Sequence, residues 1–339
     1  MLILRRTNEE THLICVALSV ALALSAATLA SAESPASSAG ADGVVELLSK
    51  VPTEIPVLQG VGAAAEPGAG APGTSSSDSA ALHEATDVAV TNGGEDPLAV
   101  DLVAAQNAVE VSVSSAGIEV IDNGDGSQTI PLSRSDGSLQ VVTVIETPSA
   151  PRAYSVGVDL PAGTALSDAG NGALLAIAPD GTMALGVAPA WAYDAAGVAV
   201  PTRYEVTGSV ITQVVEHDSG EYQYPITADP WLGQRLFSPM TVNRKGAFQG
   251  RAVYSGRLTA WGVAMGAGNL GYTILSTAGW EEFASSWSAV RNSRSMYQQD
   301  QCHALWGRAI IGAGIHWDLE AVRPANANWA DVLSHKCNW

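Results

Sequence analysis

The chain has 339 residues with 34 acidic and 16 basic side chains, a formal net charge of −18. Because so acidic a surface repels phosphate, we do not expect nucleic acid as a partner. The sequence contains no HExxH motif and no Ser nucleophile elbow, so no motif indicates a particular reaction. We expect no cofactor.

Charge, aromatic content and cysteine use all change at Asp229-Pro230-Trp231. Residues 33–230 carry 26 acidic and 4 basic side chains, whereas residues 231–339 carry 6 acidic and 10 basic ones. Eight of the nine tryptophans also lie beyond Pro230. This change predicts a junction between two modules, residues 85–230 and residues 231–339.

Residues 1–32 have the features of a secretory signal peptide. Arg5 and Arg6 precede a mostly apolar run over Leu13–Leu29, and Ala30-Ser31-Ala32 offers a cleavage site before Glu33. An uncleaved anchor is the alternative, because Leu13–Ala32 comes to about 20 residues, enough to span a bilayer. We expect cleavage without a stable membrane span, and export to the cell exterior with at most loose association with the envelope.

Two cysteines, Cys302 and Cys337, remain after the leader is removed. An even pair in an oxidising compartment predicts one disulfide, and a catalytic thiol is the alternative. Closing the loop between them stabilises the fold by about 3–4.5 kcal/mol in the chain-entropy description.

Residues 33–84 are rich in Ala, Gly, Pro and Ser, with Val44–Leu48 as a short apolar island. Such a segment buries too little apolar surface to offset the entropy of ordering, so we expect a disordered linker.

Residues 85–230 alternate apolar and polar positions, as in Val109–Val113 and Tyr154–Leu160. Turn signals such as Asn123-Gly124 and Asp136-Gly137 separate these runs. The pattern predicts an antiparallel β-sandwich or meander. The stretch Asp122–Gly126 is similar to the start of a calcium loop, but no Glu stands at the twelfth position, and we interpret it as a turn.

Residues 231–339 contain two strand-like segments, Ala252–Tyr254 and Leu258–Val263, and three predicted helices, the last of which begins at Asn328. Trp280, Phe283 and Trp287 form one apolar stripe, and a second helix is expected over about Ser295–Arg308. The predicted fold is therefore mixed, with an antiparallel β-sandwich or meander region followed by a small disulfide-stapled α+β domain.

Two stretches resemble secreted actinobacterial proteins. A β-rich segment that precedes diverse C-terminal modules resembles this chain at Pro189-Ala190-Trp191-Ala192, Pro201-Thr202-Arg203-Tyr204-Glu205-Val206 and Tyr224-Pro225-Ile226-Thr227-Ala228-Asp229-Pro230-Trp231. Cys302-His303, Trp317-Asp318-Leu319-Glu320-Ala321-Val322-Arg323-Pro324 and Cys337-Asn338 look like a C-terminal domain of unknown function in such proteins, although Trp339 stands where that pattern has Pro. The resemblance implies secretion and a compact disulfide-bonded domain, and it implies no activity.

One enzymatic hypothesis concerns His316, Asp318 and Glu320, whose spacing of two places them on one side of a strand. Together with His303 they could support acid–base hydrolysis or hold a metal, although we assign no metal. The structural alternative is that Glu320 pairs with Arg323.

The binding hypothesis concerns the tryptophans. We interpret Trp280, Trp287, Trp306 and Trp329 as core, and Trp231, Trp261 and Trp339 as candidates for stacking on a cell-wall polymer or contacting an extracellular protein. We therefore expect a secreted binding or interaction protein without enzymatic activity. The alternative is a small secreted hydrolase or toxin-like effector.

Overall fold

A computed structural model describes residues 40–53, 57–61, 73–93, 97–219, 221–243, 248–268, 271–310, 316–325, 334, 337 and 339. The predicted signal peptide lies outside these residues, as does part of the predicted linker. In the described part of the chain, no helix has the length and apolar character needed to cross a membrane.

Antiparallel strands are the predominant regular secondary structure of the described residues. In chain order they are β1 (Ser75–Ser76), β2 (Asp87–Val90), β3 (Leu98–Asp101), β4 (Glu110–Val113), β5 (Glu119–Asp122), β6 (Ser127–Ser133), β7 (Leu139–Ile145), β8 (Ala153–Val158), β9 (Leu166–Asp168), β10 (Leu174–Ile177), β11 (Met183–Val187), β12 (Trp191–Tyr193), β13 (Thr202–Thr207), β14 (Val210–Val215), β15 (Ile226–Asp229), β16 (Trp231–Gly233), β17 (Phe237–Asn243), β18 (Val253–Leu258) and β19 (His316–Glu320).

The helices are short except for the last. They are α1 (Ala41–Leu48), α2 (Ser79–Ala85), α3 (Ala260–Met265), α4 (Gly271–Ile274), α5 (Trp280–Ser286), α6 (Ser288–Arg291) and α7 (Arg294–Ile310), with a π-helical turn at Leu275–Gly279. The α5 and α7 helices lie where the sequence predicted them. The predicted strand at Leu258–Val263 is wrong, because β18 ends at Leu258 and α3 begins at Ala260. The predicted helix from Asn328 lies largely outside the described residues.

The strands form three sheets. The large sheet has the order β1-β4-β5-β6-β7-β16-β11-β10-β9, and β15 pairs with both β7 and β12. The second sheet has the order β13-β14-β8-β3-β2, and the third has the order β17-β18-β19. Antiparallel sheets followed by a small helical, disulfide-bonded region confirm the predicted fold class.

The β7 strand lies at the centre of the large sheet, and all seven of its residues are buried. Leu139 and Val141 pack into a core that also contains Val156 of the second sheet. Val142 and Val144 point to the opposite face. Because both faces of β7 are covered, its sequence is mostly apolar and does not alternate.

Helix α1 covers that opposite face of the large sheet. Its Val44 and Leu48 are each 1% exposed and pack in one cluster with Ile130 and Val142. The structure thus differs from the expectation of disorder for the Val44–Leu48 island. The partners of these side chains lie about 80–100 residues away in the sequence, so local composition did not reveal them.

The composition change at Asp229-Pro230-Trp231 falls inside the large sheet. The amide N–H of Val141 donates to the carbonyl of Pro230 at 2.9 Å, and Trp231 lies opposite Gln140 of β7. The chain therefore leaves the large sheet only after Gly233. The described residues on both sides of this point belong to one compact unit.

Helix α3 is seated on this sheet by Trp261, which is fully buried. Gly186 and Gly233 lie opposite each other on β11 and β16. A Cβ atom added to Gly186 or Gly233 would stand 2.9 Å or 2.5 Å from the Trp261 indole, so the ring packs directly on the backbone. The indole N–H also donates to the carbonyl of Trp231 at 3.1 Å.

Helix α7 covers the outer edge of β19. The side-chain amide of Gln299 accepts from the Glu320 N–H at 2.7 Å and donates to the Glu320 carbonyl at 3.1 Å. This protects an edge that would otherwise be free to pair with another chain. The predicted disulfide is present, joining Cys302 of α7 to Cys337 with a Cα–Cα distance of 5.6 Å.

We expect Gly233→Ala to destabilise the protein. The added methyl would overlap a buried indole that has no room to move, and such overpacking costs about 1–3 kcal/mol. Gly157→Ala in β8 is the matched control, since its Cβ would make an ordinary 3.4 Å contact with Asp101. Urea unfolding measures both, and equal losses in the two variants would contradict the proposed packing.

Candidate functional site

A cavity of about 240 Å³ lies where the large sheet meets α3. Residues from both sides line it, including Gln140, Pro189, Trp191, Tyr193, Trp231 and Val263. Because the sheet supplies one wall and α3 the other, the cavity depends on the seating of Trp261. We name it the junction cavity.

One wall of the junction cavity is aromatic. Trp191 and Tyr193 project to the same side of β12, whereas Ala192 between them is buried in another core. Their ring centroids are 5.8 Å apart, with an angle of 37° between the planes. Both rings are half-buried, so they are held in place while part of their surface stays accessible. Aromatic surface of this kind binds other rings and apolar groups.

Trp231 forms a second, more rigid part of the wall. It is 4% exposed, and its indole N–H donates to the hydroxyl of Ser138 at 2.9 Å. The guanidinium carbon of Arg134 lies 4.3 Å from the centroid of the ring, which is a cation–π contact. The ring is therefore fixed both at its edge and on one face.

A buried polar network supports this wall. Arg134 donates to the side-chain oxygen of Gln140, and the Gln140 amide donates to the carboxylate of Asp229. Burial lowers the pKa of Arg134 to about 10. Burial raises the pKa of Asp229 to about 7, against the opposing effects of the Gln140 hydrogen bond and the Arg134 charge. Gln140 is the member of the network that lines the junction cavity. Because its side chain bonds both Arg134 and Asp229, its amide is held in one orientation.

The junction cavity is suited to non-covalent binding. Among its described lining residues there is no carboxylate, imidazole or thiol that could act as an acid, base or nucleophile. The walls consist of aromatic surface, aliphatic side chains, the oriented amide of Gln140 and the hydroxyl-bearing residues Thr53 and Tyr193, which is the usual composition of a small-molecule binding pocket.

The predicted enzymatic residues lie elsewhere, on β19. The strand is confirmed, and His316 and Asp318 are exposed on the side opposite Trp317 and Leu319. The carboxylate of Glu320 pairs with Arg323, as the structural alternative predicted. Asp318 accepts a hydrogen bond from the hydroxyl of Ser255. Among the described residues, no group of three or more His, Cys, Asp or Glu side chains is placed to hold a metal.

His303 lies on the other side of β19 from His316. Its ring stacks on the buried ring of Trp317, with a centroid distance of 5.4 Å and an angle of 26°. Burial lowers the pKa of His303, against the opposing hydrogen bond with the main chain of Asp318. His303 thus packs α7 against β19 and does not join the exposed face.

The three tryptophans predicted to bind a ligand have different surroundings. Trp261 is fully buried, so the prediction that its ring is free to bind is wrong; the glycine pair beneath it explains why. Trp231 lines the junction cavity but is almost entirely covered. Trp339 is half-buried, and its indole N–H donates to the carbonyl of Pro324 at 2.9 Å.

Of the four tryptophans interpreted as core, Trp280 and Trp287 are partly buried against the C-terminal core. The side chain of Trp306, and Trp329 altogether, lie outside the described residues. No motif in the sequence marks Trp191, Tyr193 or Gln140 as site residues. The one available signal was the alternation Trp191-Ala192-Tyr193, in a region that otherwise lacks tryptophan before Trp231.

No protein-family model matches this chain, and neither a curated protein nor a solved structure matches it significantly. The resemblance to secreted actinobacterial proteins therefore stays a prediction.

We expect stability to depend on Asp229 between about pH 4 and pH 7. Because the folded state keeps a proton on this carboxyl that the unfolded state loses, the free energy of unfolding falls as pH rises through this interval. A difference of one bound proton between the folded and unfolded states changes the free energy of unfolding by about 1.4 kcal/mol per pH unit. Asp229→Asn cannot ionise, so its stability should decline less steeply than that of the wild type.

Urea unfolding at intervals of pH measures this difference. Burial also raises the pKa of Glu282 to about 7, so part of the decline should remain in Asp229→Asn. Identical slopes for the variant and the wild type would contradict the raised pKa of Asp229.

Proposed function

We propose that this protein is a secreted binding module and that the junction cavity contacts its ligand. The observation that carries the proposal is the aromatic wall of Trp191 and Tyr193, which stands beside the oriented amide of Gln140. A pocket with accessible rings, and with no carboxylate, imidazole or thiol among its described lining residues, favours recognition over catalysis.

The proposed location is outside the cell, with at most loose retention at the envelope. The signal-peptide features of residues 1–32 and the resemblance to secreted actinobacterial proteins support it. The Cys302–Cys337 disulfide is compatible with an oxidising compartment.

The proposed ligand is a sugar ring of a cell-wall polymer. The volume of about 240 Å³ suits one ring-sized group rather than an extended chain. Rings such as those of Trp191 and Tyr193 can stack on the apolar face of a sugar, and the Gln140 amide can bond a hydroxyl or acetamido group. An aromatic side chain of an extracellular protein is the other occupant of matching size.

We expect the purified protein to be retained on insoluble cell wall or chitin, and Trp191→Ala to reduce its affinity by about tenfold or more, as for an aromatic anchor. Tyr297→Ala is the matched control, since it removes an aromatic ring that is 43% exposed on α7 rather than in the cavity. Retention is measured by pull-down at low salt with thermal unfolding of each variant, so that misfolding is distinguished from lost binding.

Two outcomes count against the proposal. Failure of the wild type to bind either polymer would exclude the sugar ligand. Equal affinity of wild type and folded Trp191→Ala would exclude the junction cavity as the site.

A further inference from the structure

Three neighbouring strands place polar side chains in one row on the large sheet. Glu110 of β4 lies opposite Asp122 of β5, and Asp122 lies opposite Gln128 of β6. Cβ atoms of such partners are about 4.5–5.5 Å apart. All three residues line one cavity of about 520 Å³, so their side chains share a face of the sheet. This cavity is separate from the junction cavity.

The row brings two like charges together. Carboxylates directly opposite each other on adjacent strands destabilise the pairing. Among the described residues, no Lys or Arg forms an ion pair with Glu110 or Asp122, and none lines the cavity. Asp42, in the first turn of α1, adds a third carboxylate to the wall. The cavity is therefore rich in negative charge that the described protein does not balance.

Gln128 provides an independent sign of a ligand. It is only 4% exposed, and its side-chain oxygen has no hydrogen-bond partner. Buried polar atoms are almost always satisfied, so an orphaned acceptor in a cavity wall calls for a bound group that it can contact. A cation meets that need and also balances the two carboxylates.

We propose that Glu110, Asp122 and Gln128 form a binding site for a calcium-like divalent cation. Carboxylate and amide oxygens are the ligands that such hard cations prefer, and calcium takes six to eight of them in flexible geometry. The cavity leaves room for water to complete the coordination. Glu110 is exposed and free to adjust, which suits calcium better than the strict octahedron of magnesium.

The site differs from the calcium loop that the stretch Asp122–Gly126 superficially resembles. Within that stretch, Asp122 accepts from the Gly124 N–H at 2.8 Å, and Asp125 accepts from the Ser127 N–H at 3.0 Å. These bonds fold the segment into a tight turn, as the sequence predicted. The proposed ligands instead come from three strands side by side, so strand register rather than a loop motif creates the site.

The test is a titration of the full-length protein with calcium chloride at constant ionic strength, followed by calorimetry and by thermal unfolding. We expect saturable binding and a rise in Tm. Glu110→Gln should weaken binding by about tenfold or more, because it removes a charged ligand at an exposed position where the fold is not disturbed. Gln128→Met should raise Tm without calcium, since it removes the orphaned oxygen, and should abolish the calcium-dependent rise.

Asp87→Asn is the matched control. Asp87 lies opposite Asp101 on β2 and β3, so it belongs to a similar pair of like charges but outside the cavity that contains Gln128. Its calcium response should equal that of the wild type.

The site is overturned if the wild type shows no saturable response up to about 10 mM calcium, roughly ten times the weakest affinities of extracellular calcium modules. It is also overturned if Glu110→Gln and Asp87→Asn lose the response equally, which would indicate general charge screening. Should Gln128→Met fold poorly, Glu110→Gln still decides the outcome.

Discussion

The close packing of Trp261 on the glycine pair Gly186 and Gly233 determines how helix α3 meets the large sheet. A side chain at either glycine would hold the indole away from the sheet. Their register on β11 and β16 therefore lets α3 approach the backbone closely. Once α3 is seated, its Val263 and Ala264 close the junction cavity against the aromatic wall of β12.

The same few residues serve the sheet, the buried network and the cavity. Asp229 accepts from Gln140, Pro230 accepts from β7, and Trp231 lines the cavity while its carbonyl receives the Trp261 indole N–H. The change in composition at this point thus marks a place where the β-sheet and the C-terminal helices share one core. The boundary in sequence composition therefore lies within the large sheet.

Local patterns predicted the local parts of this structure. Alternating valines and Asn-Gly or Asp-Gly turns predicted the strands, the stripe of Trp280, Phe283 and Trp287 predicted α5, and the cysteine count predicted the disulfide. The junction cavity and the proposed calcium site both depend on strand register, which brings together residues that are distant in the sequence. The opposition of Gly186 and Gly233 explains the burial of Trp261, and the row through Gln128 joins three strands. No periodicity in a single segment encodes such pairings.

We infer that the sheets and the C-terminal helices unfold together as a single cooperative structure, within which the junction cavity exists. Differential scanning calorimetry of the oxidised protein tests it most directly. We expect one unfolding transition whose calorimetric enthalpy equals its van't Hoff enthalpy. Two separate transitions, one from the β-region and one from the C-terminal helices, would contradict it.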